Sequence, residues 1–134
     1  MKVILDTNVF VSGVFFSGPP FQILEAWNDD LIQLVVSPEI IDEYRRVGEI
    51  LADKYPMVVL QPVLAYVIQK AETCFAPPLP ESVCEDSDDD KFLACALASG
   101  SKIIVSGDNH LLRVSGYRGI EVLKPREFVN SYIV

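Results

Sequence analysis

Short apolar runs alternate along the chain with longer segments in which apolar residues recur at helical spacing. The short runs predict buried strands at residues 3–5, 34–36, 102–106 and 120–123. The longer segments predict helices at residues 21–28, 39–52, 62–72 and 90–99, with a terminal helix that begins at Pro125. Strands separated by helices predict an α/β fold in three layers, α/β/α, around a parallel sheet of about four to five strands.

The predicted helix at residues 39–52 has a defined start and one apolar stripe. Ser37 and Pro38 precede it, and these residue types favour the N-cap and the first helical position. The stripe consists of Ile40, Ile41, Tyr44, Val47 and Leu51. At about 100° per residue, Glu43 lies about 80° from the centre of the stripe, whereas Asp42 lies nearly opposite it. Glu43 can therefore reach the rim of the core.

Length and composition indicate one folded domain over residues 1–134, because half of the 134 residues are hydrophobic. The longest apolar run, residues 92–98, is far shorter than the roughly 18 residues that a membrane span needs. The N-terminus lacks the apolar stretch of a signal peptide, so we expect a cytoplasmic protein without a membrane partner. The cysteines at positions 74, 84 and 95 form no zinc-binding pattern, which excludes a zinc finger.

The net charge of −8, with 19 acidic against 11 basic residues, argues against a passive nucleic-acid-binding protein, which normally carries a basic patch. The negative net charge is compatible with an enzyme that binds phosphates through bound cations. An acidic surface of this kind also suits a basic partner.

Four acidic residues are expected at one edge of the predicted sheet. Asp6 follows the first strand, and Asp108 lies two residues after the strand that ends at Ser106. Asp90 begins the helix that leads into that strand, and Glu43 lies in the first two turns of the helix after the second strand. Sites in open parallel sheets form at the carboxyl ends of the strands, so these four side chains should converge.

Four like charges at one place repel each other strongly, and such a cluster either takes up protons or binds a cation. Oxygen ligands without cysteine or histidine favour Mg²⁺ or Mn²⁺ over zinc or copper. Metals held in this way typically activate water and stabilise a phosphodiester transition state.

Four segments of the chain, in this order, resemble the PIN-domain family, and in particular the toxin nucleases (VapC-like) of type II toxin–antitoxin modules. The segments are residues 3–8 (Val-Ile-Leu-Asp-Thr-Asn), 37–44 (Ser-Pro-Glu-Ile-Ile-Asp-Glu-Tyr), 88–96 (Asp-Asp-Asp-Lys-Phe-Leu-Ala-Cys-Ala) and 104–108 (Ile-Val-Ser-Gly-Asp). Each segment is weak evidence alone. Together they extend the resemblance over essentially the whole chain.

The resemblance implies that Asp6, Glu43, Asp90 and Asp108 are the catalytic acids and bind one or two Mg²⁺ or Mn²⁺ ions. Asp6 and Asp90 would hold the metal most directly, and Glu43 or Asp108 would orient the water or a second ion. The implied reaction is hydrolysis of RNA by in-line attack of an activated water. It leaves a 5′-phosphate and a 3′-hydroxyl.

Several further polar residues are candidates for supporting roles. Asn8 and Ser106 fall at polar positions that line the family's site. Among three consecutive aspartates, Asp90 has the family's spacing to the alanine-rich segment that follows, and Asp88 is an auxiliary candidate. His110, the single histidine, is a weaker candidate for a general base.

The resemblance also implies a homodimer, which the high apolar content favours, and an antitoxin partner. The charge of −8 predicts that such an antitoxin would lay a basic segment over the acidic cleft. The sequence leaves open which RNA is the substrate.

Other functional classes share parts of this pattern. A haloacid-dehalogenase-type phosphatase also follows strands with Asp and Ser, but it requires a second Asp where this chain has Asn8. A receiver domain requires an acidic pair after the first strand, and only Asp6 is there. A non-catalytic PIN-like interaction module would have no need of all four acids.

Overall fold

The computed structural model of this protein describes residues 1–133. In chain order the elements are β1 (Lys2–Leu5), α1 (Thr7–Phe15), α2 (Pro19–Asn28), β2 (Gln33–Val36), α3 (Pro38–Lys54), α4 (Leu60–Lys70), β3 (Glu72–Thr73), α5 (Asp90–Ser99), β4 (Ile103–Val105), α6 (Asn109–Leu112), β5 (Glu121–Leu123) and α7 (Pro125–Phe128). Short turns of 3₁₀-helix occupy Ser87–Asp89 and Tyr117–Gly119, and Val129–Ile133 forms a π-helical turn.

The five strands form one parallel sheet in the order β3-β2-β1-β4-β5. From the central β1 the chain moves outward through β2 to β3, and it then returns through α5 to β4 on the other side of β1. Because crossovers between parallel strands are right-handed, helices α1 to α4 lie on one face and α5 and α6 on the other. The predicted three-layer α/β/α fold with a parallel sheet is confirmed.

The carboxyl end of β1 is held by aromatic side chains from two helices. Tyr44 on α3 is completely buried, and its hydroxyl donates a hydrogen bond to the backbone carbonyl of Leu5, the last residue of β1. Phe10 on α1 stacks on the Tyr44 ring with centroids 4.1 Å apart and an interplanar angle of 4°. These contacts fix α1 and α3 against the end of the central strand.

The predicted helices at residues 21–28, 39–52, 62–72 and 90–99 correspond to α2, α3, α4 and α5. The Ser37 hydroxyl accepts a hydrogen bond from the backbone N–H of Ile40, as expected of an N-cap. Gly100 ends α5 in the left-handed conformation with φ of 79°. Within residues 1–133, no helix combines the length and apolar character that crossing a bilayer requires.

Helix α1 was not predicted from the sequence. It begins directly after β1, and its buried residues are Thr7, Val9, Phe10, Val11 and Gly13. These positions are spread around the helix, because α1 packs against both α2 and α3. A helix covered on most sides lacks the polar face that makes a helical period visible in a sequence.

We expect Tyr44→Phe to lower the free energy of unfolding by about 1–3 kcal/mol, because it leaves the buried Leu5 carbonyl without its hydrogen bond. Urea unfolding followed by circular dichroism measures this loss. Tyr66→Phe is the matched control, since the exposed Tyr66 hydroxyl donates to Asn28 near the surface and should contribute less. Equal losses in the two variants would contradict the role given to Tyr44.

Candidate metal centre

The site is built where β1 and β4 end side by side, with Leu5 paired to Val105. From this point the connections diverge, to β2 on one side and to β5 on the other, which leaves a crevice at the carboxyl ends of the strands. Asp6 and Ser106 are the next residues of the two strands, and both are buried. The Ser106 hydroxyl donates to Oδ2 of Asp6 at 2.6 Å.

Asp108 is tied to the same serine. Its backbone N–H donates to the Ser106 Oγ at 2.9 Å. Its carboxylate caps the short helix α6 by accepting the backbone N–H of His110 at 2.8 Å. Ser106 therefore connects the acids that follow two adjacent strands.

Glu43 reaches the same region from α3, and its side chain is only 17% exposed. Oε1 accepts a hydrogen bond from the Thr7 hydroxyl. Oε2 lies 2.5 Å from the Lys91 ammonium and 3.7 Å from the Arg46 guanidinium. The neighbouring Asp42 is exposed, in agreement with the helical phase of α3.

The acids at the strand ends repel one another. Burial raises the pKa of Asp6 above its usual range, and the charges of Asp108 and Glu43 raise it further. The hydrogen bond from Ser106 lowers the pKa in part. An additional positive charge in the crevice would relieve this repulsion.

Asp89 is the fourth carboxylate of the crevice. Burial raises its pKa to about 6, with further contributions from the charges of Asp108, Asp6 and Asp86. Its Oδ2 atom is buried and has no hydrogen-bond partner among the described residues. The Nδ1 atom of the His110 ring lies 3.8 Å from this oxygen, beyond hydrogen-bonding distance. A buried, unpaired carboxylate oxygen is costly unless a cation completes its surroundings.

Asp90, the residue expected in this place, points elsewhere. Its Oδ1 accepts the backbone N–H of Cys84 at 2.7 Å, and its Oδ2 accepts the N–H of Val83 at 3.2 Å and the Ser82 hydroxyl at 3.4 Å. Burial alone would raise the pKa of Asp90, but these hydrogen bonds lower it below its usual range. The register therefore differs by one residue from the expectation, with Asp89 instead of Asp90 facing the other acids.

A family model described as PIN domain matches residues 2–110. The chain belongs to the PIN-domain family. An uncharacterized protein from Methanocaldococcus jannaschii is 26% identical in an alignment of 148 positions, which covers 98% of this chain and 92% of that protein. PIN domains are generally metal-dependent nucleases, so the chain has a nuclease-type fold.

A second group of ligand atoms adjoins the crevice of this PIN domain. Single atoms of Asp86, Asp89 and His110 all lie within 4.8 Å of one another. The His110 Nδ1 is also 3.8 Å from Oδ1 of Asp108. His110 therefore borders the acids of the crevice.

Of the three auxiliary candidates, Ser106 lies in the crevice, where it binds Asp6, and the other two lie outside it. Asn8 is exposed in the first turn of α1. Asp88 is exposed in the 3₁₀ turn and lines a shallow surface pocket together with Arg46 and Lys91. In the described part of the chain, neither side chain forms a hydrogen bond or an ion pair with an acid of the crevice.

Helical phase is the signal that could have identified Asp89. The most deeply buried residues of α5 are Phe92, Leu93, Cys95 and Ala96. When the α5 phase is extended back by one residue, Asp89 lies about 40° from the centre of this buried side and Asp90 about 140° from it. Helical phase likewise places Glu43 at the rim of the core, and its side chain is 17% exposed.

The donor set of this PIN domain suits a hard divalent cation. Asp6, Glu43, Asp89 and Asp108 supply carboxylate oxygens, and within residues 1–133 only Glu43 of these acids has a lysine partner. Such oxygens are the preferred ligands of Mg²⁺ and Mn²⁺. Burial raises the pKa of the Cys84 and Cys95 thiols to about 12, so these two thiols are protonated at neutral pH.

We expect Asp89→Asn to stabilise the protein in EDTA at neutral pH. The folded-state pKa of Asp89, about 6, is higher than its unfolded value, so its charge costs stability as pH rises through 6 and costs nothing below about 4. Solvent screens part of the repulsion. We therefore expect the free energy of unfolding to rise by about 1 kcal/mol at about pH 7.5 and to stay unchanged near about pH 4.

Thermal melting at the two pH values measures this difference. Asp88→Asn, a change of the exposed neighbour in the same turn, controls for the loss of one negative charge beside α5. A gain in Asp89→Asn that is independent of pH, or a similar gain in the control, would contradict the repulsion argued for the crevice.

Proposed function

We propose that this PIN-domain protein is a Mg²⁺- or Mn²⁺-dependent endoribonuclease. One observation carries the proposal: Asp6, Glu43, Asp89 and Asp108 meet at the point where the strand connections diverge, and one buried oxygen of Asp89 has no partner among the described residues. Burial and mutual repulsion make this arrangement unfavourable without a cation. Structural carboxylates normally have hydrogen-bonding or charged partners, as Asp90 does.

We propose Asp6, Asp89 and Asp108 as the principal ligands, with Glu43 at the edge of the site. Asp89 replaces Asp90 in this set because Asp90 already accepts three hydrogen bonds from its own loop. When bound, the metal would lower the pKa of water and stabilise the negative charge that develops on the phosphodiester. One or two ions are compatible with the donors.

The protein's own residues hold and orient these acids. Ser106 donates to Asp6 and accepts from the Asp108 backbone, which keeps both acids in register with the strand ends. Thr7 and Lys91 bind opposite oxygens of Glu43 and fix the position of that carboxylate. Glu43 is thus the acid best placed to accept a proton from a water molecule at the edge of the site.

We propose that Lys91 and Arg46 provide the first contacts with RNA phosphates. Both are close to Glu43, and both line the shallow pocket beside it. Lys91 also lines a cleft of about 480 Å³ between α5 and the loop that contains Pro78 and Leu79. On a chain with a net charge of −8, such local cations would be needed to counter repulsion of the RNA backbone.

A role as the toxin of a toxin–antitoxin module, with a basic antitoxin and a homodimeric assembly, is part of this proposal. It is supported by the PIN-domain family match and by the acidic net charge. A cytoplasmic location remains a prediction from the sequence.

Purified protein should cleave end-labelled single-stranded RNA with Mg²⁺ or Mn²⁺ and not with EDTA, and Asp6→Asn should lower the rate by about 100-fold or more. Denaturing gels measure the products, which should carry a 5′-phosphate. Equal cleavage by both proteins would indicate a contaminating nuclease. If neither protein cleaves and neither binds Mn²⁺ in calorimetry, the proposal is wrong and a non-catalytic interaction module is favoured.

At a subsaturating metal concentration, we expect the cleavage rate to rise with pH through about 6. Protons compete with the cation for Asp89, whose pKa is about 6, and for Asp6, whose pKa is also raised. Increasing the pH removes these protons, and increasing the Mn²⁺ concentration should move the midpoint to lower pH. Initial rates from about pH 5 to about pH 8 at two Mn²⁺ concentrations measure the shift. A midpoint that does not respond to Mn²⁺ would contradict the competition.

A further inference from the structure

We propose that Asp90 is a positioning residue, whose carboxylate clamps the loop at residues 82–84 and thereby determines where Asp89 enters the metal centre. This inference rests on the proposed function, because it assigns Asp90 a task in support of the same site. It gives the three consecutive aspartates at positions 88–90 separate roles.

The loop that Asp90 holds has few other polar attachments. Residues 74–86, between β3 and the 3₁₀ turn, contain no helix or strand. Irregular connections of this length are uncommon in small domains and are often functional. Among residues 1–133, the segment 75–84 has three recorded hydrogen bonds, and all three end on the Asp90 carboxylate.

The hydrogen bond from Cys84 to Asp90 closes a ring of residues that contains the 3₁₀ turn Ser87–Asp89. The 2.7 Å bond between the Cys84 N–H and Asp90 Oδ1 joins the two ends of residues 85–89. The Cys84 side chain is 4% exposed and belongs to the hydrophobic core, so one end of the ring is also anchored by packing. Within the ring, the Asp86 carboxylate accepts the N–H of Asp88, and its carbonyl accepts the N–H of Asp89. With both ends fixed, few positions remain for the Asp89 carboxylate.

The chemistry of the clamp favours a charged oxygen pair over a neutral side chain. Asp90 faces two backbone N–H groups and one hydroxyl, and hydrogen bonds to an ionised acceptor are the stronger kind. An asparagine could keep one acceptor, but it would turn an N–H group toward another N–H group. An alanine would keep none. The clamp should therefore weaken in the order Asp, Asn, Ala.

The clamp also borders the cleft beside the metal centre. Leu79, Pro80, Ser82 and Asp90 line the same cleft of about 480 Å³ that Lys91 lines. Loosening the loop should consequently affect RNA binding as well as metal binding.

The test compares Asp90→Asn, Asp90→Ala and Asp89→Asn by Mn²⁺ titration and by RNA cleavage over a range of Mn²⁺ concentrations. We expect Asp90→Ala to bind Mn²⁺ about 10-fold to 100-fold more weakly than the unsubstituted protein, with Asp90→Asn between them. At saturating Mn²⁺, both Asp90 variants should recover most of kcat, with KM for RNA still raised. Asp89→Asn should not recover, because it lacks a ligand.

Asp53→Asn, a change of an exposed acid on α3, controls for net charge and should match the unsubstituted protein. Thermal melting identifies a folding defect. If Asp90→Ala does not fold, the Mn²⁺ affinity and KM of Asp90→Asn are compared with those of the unsubstituted protein. Unchanged Mn²⁺ affinity and KM in the folded Asp90 variants would overturn the clamp. So would loss of kcat that saturating Mn²⁺ does not restore, since Asp90 would then be a ligand. If the unsubstituted protein neither binds Mn²⁺ nor cleaves RNA, the proposed function fails instead.

Discussion

Asp6 places a carboxylate in the buried crevice at the end of β1, and the repulsion between it and the neighbouring carboxylates dominates the chemistry of this end of the molecule. Burial raises the pKa of Asp6 and brings that of Asp89 to about 6. The fold tolerates this concentration of charge because strong local contacts fix the backbone that carries it. Ser106 holds Asp6 and Asp108 together, and Tyr44 secures the carbonyl of the strand's last residue.

Some carboxylates at this end of the molecule have cationic or hydrogen-bonding partners within the protein and others do not, and this difference distinguishes their roles. Glu43 has a lysine at 2.5 Å, and Asp90 has three hydrogen-bond donors from its own loop. Asp89 has a buried oxygen with no partner in the described part of the chain. Compensated carboxylates can serve as structural supports or as a proton acceptor, whereas uncompensated ones require a cation. The proposed division between ligands and supporting residues follows from this contrast.

Three consecutive aspartates show how one chemical group acquires three environments. Asp88 faces solvent, Asp89 faces the crevice and Asp90 faces the loop before it. Each step along a helical backbone rotates the side chain by about 100°, so adjacent residues contact different parts of the fold. The spacing of a sequence motif does not show which of the three side chains points toward the crevice. The helical phase of α5, measured from its buried residues, does show this.

The sequence by itself determined four of the five strands, the main helices other than α1, the parallel three-layer fold and the presence of acids after β1 and β4. It also determined which acid of α3 faces inward, because local periodicity records the buried side of an element. Contacts between separate elements do not appear in local periodicity, and only the tertiary structure decided them. Helix α1 is covered on most sides and shows no polar face, and Lys91 pairs with Glu43 across 48 positions of the chain. Such contacts depend on how separate elements pack, so the partners of each carboxylate follow from the fold alone.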